Sequence, residues 1–430
     1  MGVPNGSNGL LAELTWRGLV AESSQGLDER LARGPISAYI GFDASARSLH
    51  VGNLLQVFML LHLQRHGGIP VVVVGGGTGM IGDPSGKSSE RNLLDDDAIR
   101  ANSAAIRVQL ERFVDFSPGP GQAQMVDNRE WLERYSLLEF LRDIGKHFSI
   151  RYMLAKDSVQ ARLAGGMSFT EFSYMTLQAA DFLHLYRDRG VEMQMGGADQ
   201  WGNITAGLEL IRRVVGREEG DPPAAFGLCS PLLLTREGQK MGKSEKGAVF
   251  LDPQMTSPYD FFQYWLNDDD ALVIQHLRWL TLMTADEAAD LESAQAADPG
   301  SRPAQRALAF DLTTRVHGQE EAERQVRVAS AAFSTAPITD PDVLDALYES
   351  LDHFEFGDEI VNQSAQDFAL HSGLVPSKSE ARRLVSQGGL SINGQRVSGP
   401  ESPLPEPIAG RYLVLRAGKK RMLIARRRAK

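Results

Sequence analysis

Cysteine occurs once in this 430-residue chain, as Cys229. That excludes internal disulfides and any cysteine-based zinc cluster, and it fits a reducing cytosol. No apolar run approaches the ~20 residues needed to span a bilayer, so no membrane partner is expected. The first residues lack a basic stretch followed by an apolar one, which argues against a signal peptide. Glu13, Glu22, Asp28 and Glu29 interrupt anything like an acid-poor transit peptide, so a cytoplasmic location is expected. Overall the chain is short of positive charge, at −10. The shortfall is uneven. From Val361 onward there are 13 Lys+Arg against four acids, a tail of +9 on a body of −19. An acidic body with a basic end suggests a polyanion-binding appendage, although a solvated basic tail has the same composition. A hydrophobic share of 42% supplies core material for the two or three domains that this length suits.

Residues 38–42 read as a short buried strand, and 52–66 as a helix. Ile69-Pro70-Val71-Val72-Val73-Val74 is β-branched without alternation, as in a strand buried on both faces. The glycine-rich loop 75–79 follows. Helical patterns recur at 97–113 and 169–187, and Gln194-Met195-Gly196-Gly197 looks like another strand end. Strands alternating with helices imply a parallel α/β sheet, whose ligands sit at the carboxyl ends of its strands. From about residue 260 the chain turns helical and acidic, at 285–297 and 303–333. Residues 336–342, dotted with Pro and Asp, read as a linker. Ser377 and Glu380 are spaced as a capping box, Gly388-Gly389 ends the helix they open, and Asn393-Gly394 reads as a type I′ hairpin turn. A second strand pair is expected over 412–415 and 422–424.

Two motifs suit phosphate. His50-Val51-Gly52-Asn53 lies between a strand and a helix start, where free N–H groups and the helix dipole favour an anion. Lys240-Met241-Gly242-Lys243-Ser244 sets two lysines around a glycine in a flexible loop that can close on a triphosphate. Alone, each also fits an ordinary helix start or an exposed basic turn. Asp83-Pro84-Ser85-Gly86-Lys87, with Arg91 beyond, reads as a carboxylate anchor followed by two phosphate-facing cations. It lacks the P-loop spacing. Over 169–187, Tyr174, Gln178 and Asp181 fall at i, i+4 and i+7 and share one face among apolar neighbours. Such groups need partners. A ligand with an ammonium and a hydroxyl would supply them; the wet face of an amphipathic helix is the other reading.

In this order, about 190 residues apart, the two phosphate motifs resemble the HIGH and KMSKS signatures of class I aminoacyl-tRNA synthetases. Four further blocks resemble the bacterial tyrosyl-tRNA synthetases. They are Tyr39-Ile40-Gly41-Phe42-Asp43 with Ser48-Leu49-His50, the stretch from Gly79 to Lys87, Phe169-Thr170-Glu171-Phe172-Ser173-Tyr174, and Gly196-Gly197-Ala198-Asp199-Gln200-Trp201-Gly202-Asn203. The resemblance runs from about residue 10 to the C-terminus.

The resemblance implies an α/β architecture: a Rossmann-like parallel-sheet catalytic domain over 1–235, then the lysine loop and a helical anticodon-side domain over 236–335. A linker at 336–362 and a small α+β S4-like RNA-binding domain at 363–430 would follow. It also implies ATP-dependent activation of L-tyrosine to tyrosyl-adenylate and transfer to tRNA(Tyr), in a homodimer. Mg2+ would arrive with ATP, with no tightly bound cofactor and no resident metal.

Tyr39 and Asp181 would hold the phenol; Asp83, Tyr174 and Gln178 the ammonium; Gln200 the carboxylate. Gly41, Asp43, Ser45, His50, Gly52, Gly197, Asp199 and Lys243 would meet ATP. Catalysis would fall to His50, Asn53, Lys87, Arg91, Lys240 and Lys243. Lys378, Arg382, Arg383, Arg396, Lys419, Lys420 and Arg421 would contact RNA phosphates. The sequence departs from the family at Asn53, where the second histidine of HIGH stands, at Gly242, where KMSKS has serine, and at Ile40, which offers ribose no polar contact. A tryptophanyl-tRNA synthetase and a non-catalytic RNA-binding relative are the competing readings.

Overall fold

The computed structural model describes residues 9–83, 95–156, 159–160, 163, 166–217, 221–244, 247–334, 336–360, 363–418 and 421–428. The chain divides into two compact units. The first holds residues up to Met255 together with Asp268–Leu308, and the second holds Thr256–Asn267 together with Ala309 onward.

The first unit is built on a six-stranded sheet in the order β1-β6-β5-β2-β3-β4, with β1 (Glu22–Ser23), β2 (Ser37–Phe42), β3 (Ile69–Val74), β4 (Gln124–Asp127), β5 (Met193–Gly197) and β6 (Phe226–Ser230). All pairs are parallel except β1 with β6. The chain winds outward from β2 through β3 to β4, then returns to the other side of β2 with β5 and β6. This Rossmann-like order places a switch point between β2 and β5, where the loops at the strand ends part and leave a crevice. Burial explains the strands. Val71, Val72, Val73 and Val74 are all buried, as the unalternating run requires. Pro70 is tolerated because β4 joins only from Val71 onward, so its missing N–H breaks no ladder on that side.

The Leu54–Arg65 helix is apolar nearly all round and buried from Leu54 through Leu63 except at Gln56. It packs on β2, β3, β5 and β6. The Phe169–Arg189 helix begins at a capping box between Ser168 and Glu171, and ends at Gly190, whose φ of 65° closes it. It runs two residues past the expected end because that glycine, and no earlier residue, supplies the left-handed stop.

The expected boundary at 235 does not match the compact units. The Val273–Leu280 helix packs against both Leu54–Arg65 and Leu10–Arg17. The Arg17 guanidinium donates to the carbonyls of Arg278, Thr281 and Met283 at 2.8, 2.9 and 2.9 Å. Helical composition there belongs to the sheet's own unit.

The run expected at 303–333 breaks into Pro303–His317 and Gln319–Phe333, because Gly318 adopts a φ of 96°. The expected linker at 336–362 is corrected. Asp340 caps a helix over Pro341–Ser350 with Pro341 in its first turn, and Val343, Leu344 and Leu347 bury its inner face. Asp and Pro there open an element instead of separating two. The strand β9 (His353–Phe356) then pairs parallel with β13. The second sheet runs β11-β10-β12-β13-β9, with β10 (Leu390–Ile392), β11 (Gln395–Arg396), β12 (Tyr412–Ala417) and β13 (Arg421–Arg427). Asn393 and Gly394 have φ of 51° and 78°, the positive pair that a type I′ turn needs. Ser377 caps the Lys378–Ser386 helix by accepting from the Glu380 N–H.

Candidate active site

One end of the candidate site lies between β2 and the Phe169–Arg189 helix. Tyr39 on β2 is 2% exposed and its ring meets Phe182 edge-on at 5.4 Å. Its hydroxyl has no hydrogen-bond partner among the described residues, nor does the Gln194 side-chain carbonyl on β5, which pairs in register with Tyr39. Burial and the nearby Asp181 carboxylate push the Tyr39 phenol well above its ordinary pKa, so it stays a donor. Asp181, 3% exposed, accepts from Asn128 Nδ2 at 2.9 Å and from Trp131 Nε1 at 2.7 Å. Desolvation outweighs these two bonds and lifts its pKa to about 7. Asn128 extends the network. Its Nδ2 also donates to Thr78 Oγ1 at 2.8 Å, its Oδ1 accepts from the Gly77 N–H at 2.8 Å, and the Thr78 side chain hydrogen-bonds the Tyr174 hydroxyl.

The other end is a chain of amides and a carboxylate. Gln200 Nε2 donates to Asp83 Oδ2 at 2.7 Å, Gln178 Nε2 donates to Gln200 Oε1 at 3.3 Å, and Asn203 Nδ2 donates to Gln178 Oε1 at 3.0 Å. Tyr174 is buried beside them. Desolvation raises its pKa first, and the charges of Asp43, Asp83 and Asp181 add to that. Asp43, Asp83 and Asp181 thus gather around one buried phenol, a set of acidic groups suited to a cation. The spacing of Tyr174, Gln178 and Asp181 on one helical face thus becomes a shared site. Sequence reasoning missed Thr78, Asn128, Trp131, Gln194 and the role of Asn203.

The phosphate motifs meet at the carboxyl end of β2. His50 Nδ1 accepts from the Gly52 N–H at 3.0 Å, so in the neutral ring the proton sits on Nε2, which remains a donor. Burial lowers the His50 pKa and favours that neutral form. Asn53 Oδ1 accepts from the His50 N–H at 3.1 Å, completing a capping box. The Asn53 side chain thus meets the His50 backbone, not its ring.

The lysine loop lies against this corner. β7 (Lys243–Ser244) pairs with β8 (Gly247–Ala248), the Val249 N–H donates to Gly242 O at 2.9 Å, and the Val51 N–H donates to Val249 O at 2.9 Å. A Cβ on Gly52 would lie 2.8 Å from the Met241 carbonyl oxygen, so only glycine fits that approach. Gly242 has a φ of 130°, where a side chain is strained, and a Cβ there would stand 3.2 Å from His50 Nδ1. The departure from KMSKS therefore has a local steric reason.

Asp43 Oδ1 lies beside Gly75, whose Cβ would come within 3.1 Å of it. Gly41 and Ser45 are exposed at and just beyond the end of β2. Gly197 ends β5, and Asp199 Oδ1 sits 2.9 Å from the position of its absent Cβ. Asp199 also receives Lys240 Nζ at 2.6 Å. Lys243 is placed by its backbone, as the first residue of β7. Lys87, Arg91, Lys419 and Lys420 lie outside the described residues.

Within the second unit, Arg382 and Arg383 are exposed on the Lys378–Ser386 helix. Arg396 reaches the end of that helix, its Nη1 3.6 Å from where a Gly388 Cβ would stand. Lys378 pairs with Asp367 at 3.1 Å, and Arg421 is exposed at the start of β13. Other basic residues of the tail are engaged within the unit: Arg411, Arg426 and Arg427 pair with Asp345, Glu355 and Asp358.

A parallel sheet with a histidine motif at its switch point and a lysine loop folded against it defines a class I aminoacyl-tRNA synthetase core. Residues 31–334 match the family described as tRNA synthetases class I (W and Y). Residues 353–425 match the tyrosine–tRNA ligase SYY-like C-terminal domain. The chain is 49% identical over 416 residues to a tyrosine–tRNA ligase of Anaeromyxobacter dehalogenans, covering 96% of this chain and 97% of that one. It is 42% identical to a tyrosine–tRNA ligase of Bacillus caldotenax, over 97% and 99% of the two chains. Among solved structures, a C-terminally truncated mitochondrial tyrosyl-tRNA synthetase of Coccidioides posadasii is similar with a TM-score of 0.65 and 32% identity, covering 75% of this chain and 92% of that one. A tryptophanyl-tRNA synthetase of Encephalitozoon cuniculi bound to tryptophan is similar in fold alone, at a TM-score of 0.52 and 14% identity over 78% and 86%. The chain belongs to the tyrosine–tRNA ligase family.

Proposed function

We propose a division of labour among these residues for the reaction that family membership gives the chain, ATP-dependent ligation of tyrosine to tRNA(Tyr) through tyrosyl-adenylate. The observation that carries it is the pair of buried groups at the phenol end: a Tyr39 hydroxyl without a partner and an Asp181 carboxylate near neutrality. One phenol hydroxyl satisfies both, donating to Asp181 and accepting from Tyr39. Asp83, Tyr174 and Gln178 hold the ammonium, and Gln200 orients the carboxylate.

That carboxylate attacks the α-phosphorus of Mg-ATP, forming the mixed anhydride as the bond to pyrophosphate breaks. His50 Nε2–H, Lys240 and Lys243, with Lys87 and Arg91, meet the charge that moves onto the leaving oxygens. Gly41, Asp43, Ser45 and Gly52 line the nucleotide cleft, and Asp199 with the Gly197 backbone holds the ribose. A terminal ribose hydroxyl of tRNA then attacks the tyrosyl carbonyl and AMP leaves. No side chain acts as a nucleophile, so positioning and charge stabilisation carry the rate. Mg2+ enters as part of the ATP substrate.

Residues 363–430, part of the second unit, are read as an S4-like RNA-binding domain, with Lys378, Arg382, Arg383, Arg396, Lys419, Lys420 and Arg421 on tRNA phosphates. A homodimer is supported by an apolar surface: Leu138 is 78% exposed and Leu137 70%, and Ile150 and Phe169 are exposed as well. Apolar exposure of this kind fits a second copy of the chain. No helix among the described residues is long and apolar enough to cross a membrane, and a cytoplasmic location is part of this reading. ATP–pyrophosphate exchange with each amino acid in turn tests it. Tyrosine-dependent exchange is expected; exchange driven by tryptophan and not by tyrosine would overturn the pocket assignment.

A further inference from the structure

Lys240 and Asp199 stand in two different subsites of the proposed reaction, yet they grip each other. Lys240 Nζ lies 2.6 Å from Asp199 Oδ2. Asp199 belongs to the short turn Ala198–Gln200 that follows β5. The next residue, Gln200, is tied to Asp83, so this turn is fixed within the amino-acid site. Lys240 sits on the returning arm of a hairpin. The Met241 N–H donates to Leu233 O at 2.8 Å, the Thr235 N–H donates to Gln239 O at 2.7 Å, and Gly238 turns between them with a φ of 77°. Immediately after it come Gly242 and the ladder to Val249 and Val51. The hairpin is therefore held at two points, the ion pair at its lysine and the backbone bonds beside His50.

We infer that Asp199 is a positioning residue for Lys240, holding its ammonium until the ATP ribose arrives and displaces it toward the phosphates. This rests on the proposed roles of Asp199 in ribose binding and of Lys240 at the pyrophosphate. A carboxylate cannot accept a ribose diol at full strength while an ammonium covers the same oxygen. Nucleotide binding therefore competes with the pair, and the freed charge stands two positions before Gly242, the glycine packed against His50. Recognition of the sugar and delivery of the cation become one event. Lys240 is 48% exposed at its side chain and Asp199 23%, so the ion pair is weak enough for a hydroxyl-bearing ligand to displace it.

Adenosine is the discriminating probe because it carries the ribose and no charge. Its binding to the full chain is measured by equilibrium dialysis for wild type, Lys240→Met and Asp199→Asn. In Lys240→Met adenosine should bind about two- to fivefold more tightly, the span of an exposed ion pair. The maximal rate of tyrosine-dependent pyrophosphate exchange should fall in the same variant. Wild-type affinity for adenosine should also rise as salt is raised toward about 1 M, where screening acts within about 3 Å. The two variants should show no such rise. General damage to the fold does not tighten binding, so a structural role for Lys240 predicts the opposite sign.

Equal or weaker adenosine binding in Lys240→Met, or the same salt response in wild type and variant, overturns the hand-over. Absence of adenosine binding in all three proteins overturns it through the ribose assignment. Loss of the underlying functional reading would show separately, as wild-type protein without tyrosine-dependent exchange.

Discussion

Asp181→Asn should reverse its effect on stability between pH 4 and pH 8. In the folded, ligand-free chain the carboxyl titrates near 7 against an ordinary 3.8. The difference is about three units, and at about 1.36 kcal/mol per unit it is worth roughly 4 kcal/mol. Between those two values the folded state keeps a proton that the unfolded chain has released. Stability therefore falls as pH rises through the window, by about 1.4 kcal/mol per unit, and levels off above about 7. Asparagine has no such titration.

The substitution has a second, pH-independent cost. Asn128 Nδ2 and Trp131 Nε1 both donate to the carboxylate, and an amide offers one oxygen for the two. The unpaired donor costs about 1–3 kcal/mol. The variant should be the weaker protein at pH 4 and the stronger at pH 8. Urea unfolding of both proteins at half-unit steps, without tyrosine, gives the difference, in which groups common to both cancel. A difference constant across the range would refute the buried-carboxylate reasoning. The same variant should bind tyrosine poorly and lose its preference over phenylalanine.

His50→Ala removes the Nε2 donor and should slow adenylate formation by about 10²–10³-fold, with the tyrosine dissociation constant unchanged in fluorescence titration. Gly242→Ala forces a side chain into a backbone conformation costing about 1–3 kcal/mol; adenylate formation in stopped flow should slow by about tenfold or more while tyrosine binding stays as it was. Replacing Arg382, Arg383 and Arg396 by glutamate should leave pyrophosphate exchange intact. It should also flatten the log–log salt dependence of tRNA binding by about 2 to 3, at ~0.7–0.9 per phosphate contact. Leu138→Glu should shift the chain to a smaller mass in light scattering; an unmoved mass would count against that face as the dimer contact.

The elements legible in the sequence are those with a local cause. Ile69–Val74 was bounded correctly because a β-branched run, interrupted only by Pro70, ends at a glycine cluster on one side and begins after Gly67-Gly68 on the other. The Phe169–Arg189 helix showed its polar face through Tyr174, Gln178 and Asp181, and the structure adds a Ser168–Glu171 capping box at its start. What escaped was non-local. Asn128 and Trp131 reach Asp181 across about fifty positions. The strand before them, Gln124–Asp127, is short and has one β-branched residue, so it carries little pattern. The one available signal was topological: Asp127-Asn128 lies at the carboxyl end of a strand, where α/β ligands gather. The Pro341–Ser350 helix escaped for the opposite reason. Its N-cap and its proline were visible, but Pro and Asp serve helix starts and linkers alike, and only the burial of Val343, Leu344 and Leu347 separates the two.

Fold alone does not select the amino acid, since a tryptophan-bound relative shares it at 14% identity. Selection has to come from unsatisfied chemistry inside the pocket. An indole N–H can serve Asp181, but it has no lone pair in the ring plane to receive the Tyr39 hydroxyl, which would stay buried and unpaired. Phenylalanine serves neither group. On the proposed assignment, tyrosine meets both with one oxygen, donating through its hydrogen and accepting at a lone pair. A buried polar group left without a partner costs about 1–3 kcal/mol, a term that tryptophan and phenylalanine both incur at Tyr39, and phenylalanine also forfeits the bond to Asp181. The second loss has a further side: at neutral pH Asp181 stands near its titration point, and a ligand that cannot donate leaves its charge to the Asn128 and Trp131 donors alone. The groups that destabilise the ligand-free pocket are thus the same ones that discriminate, and neither could be relieved by better packing without losing the choice of substrate.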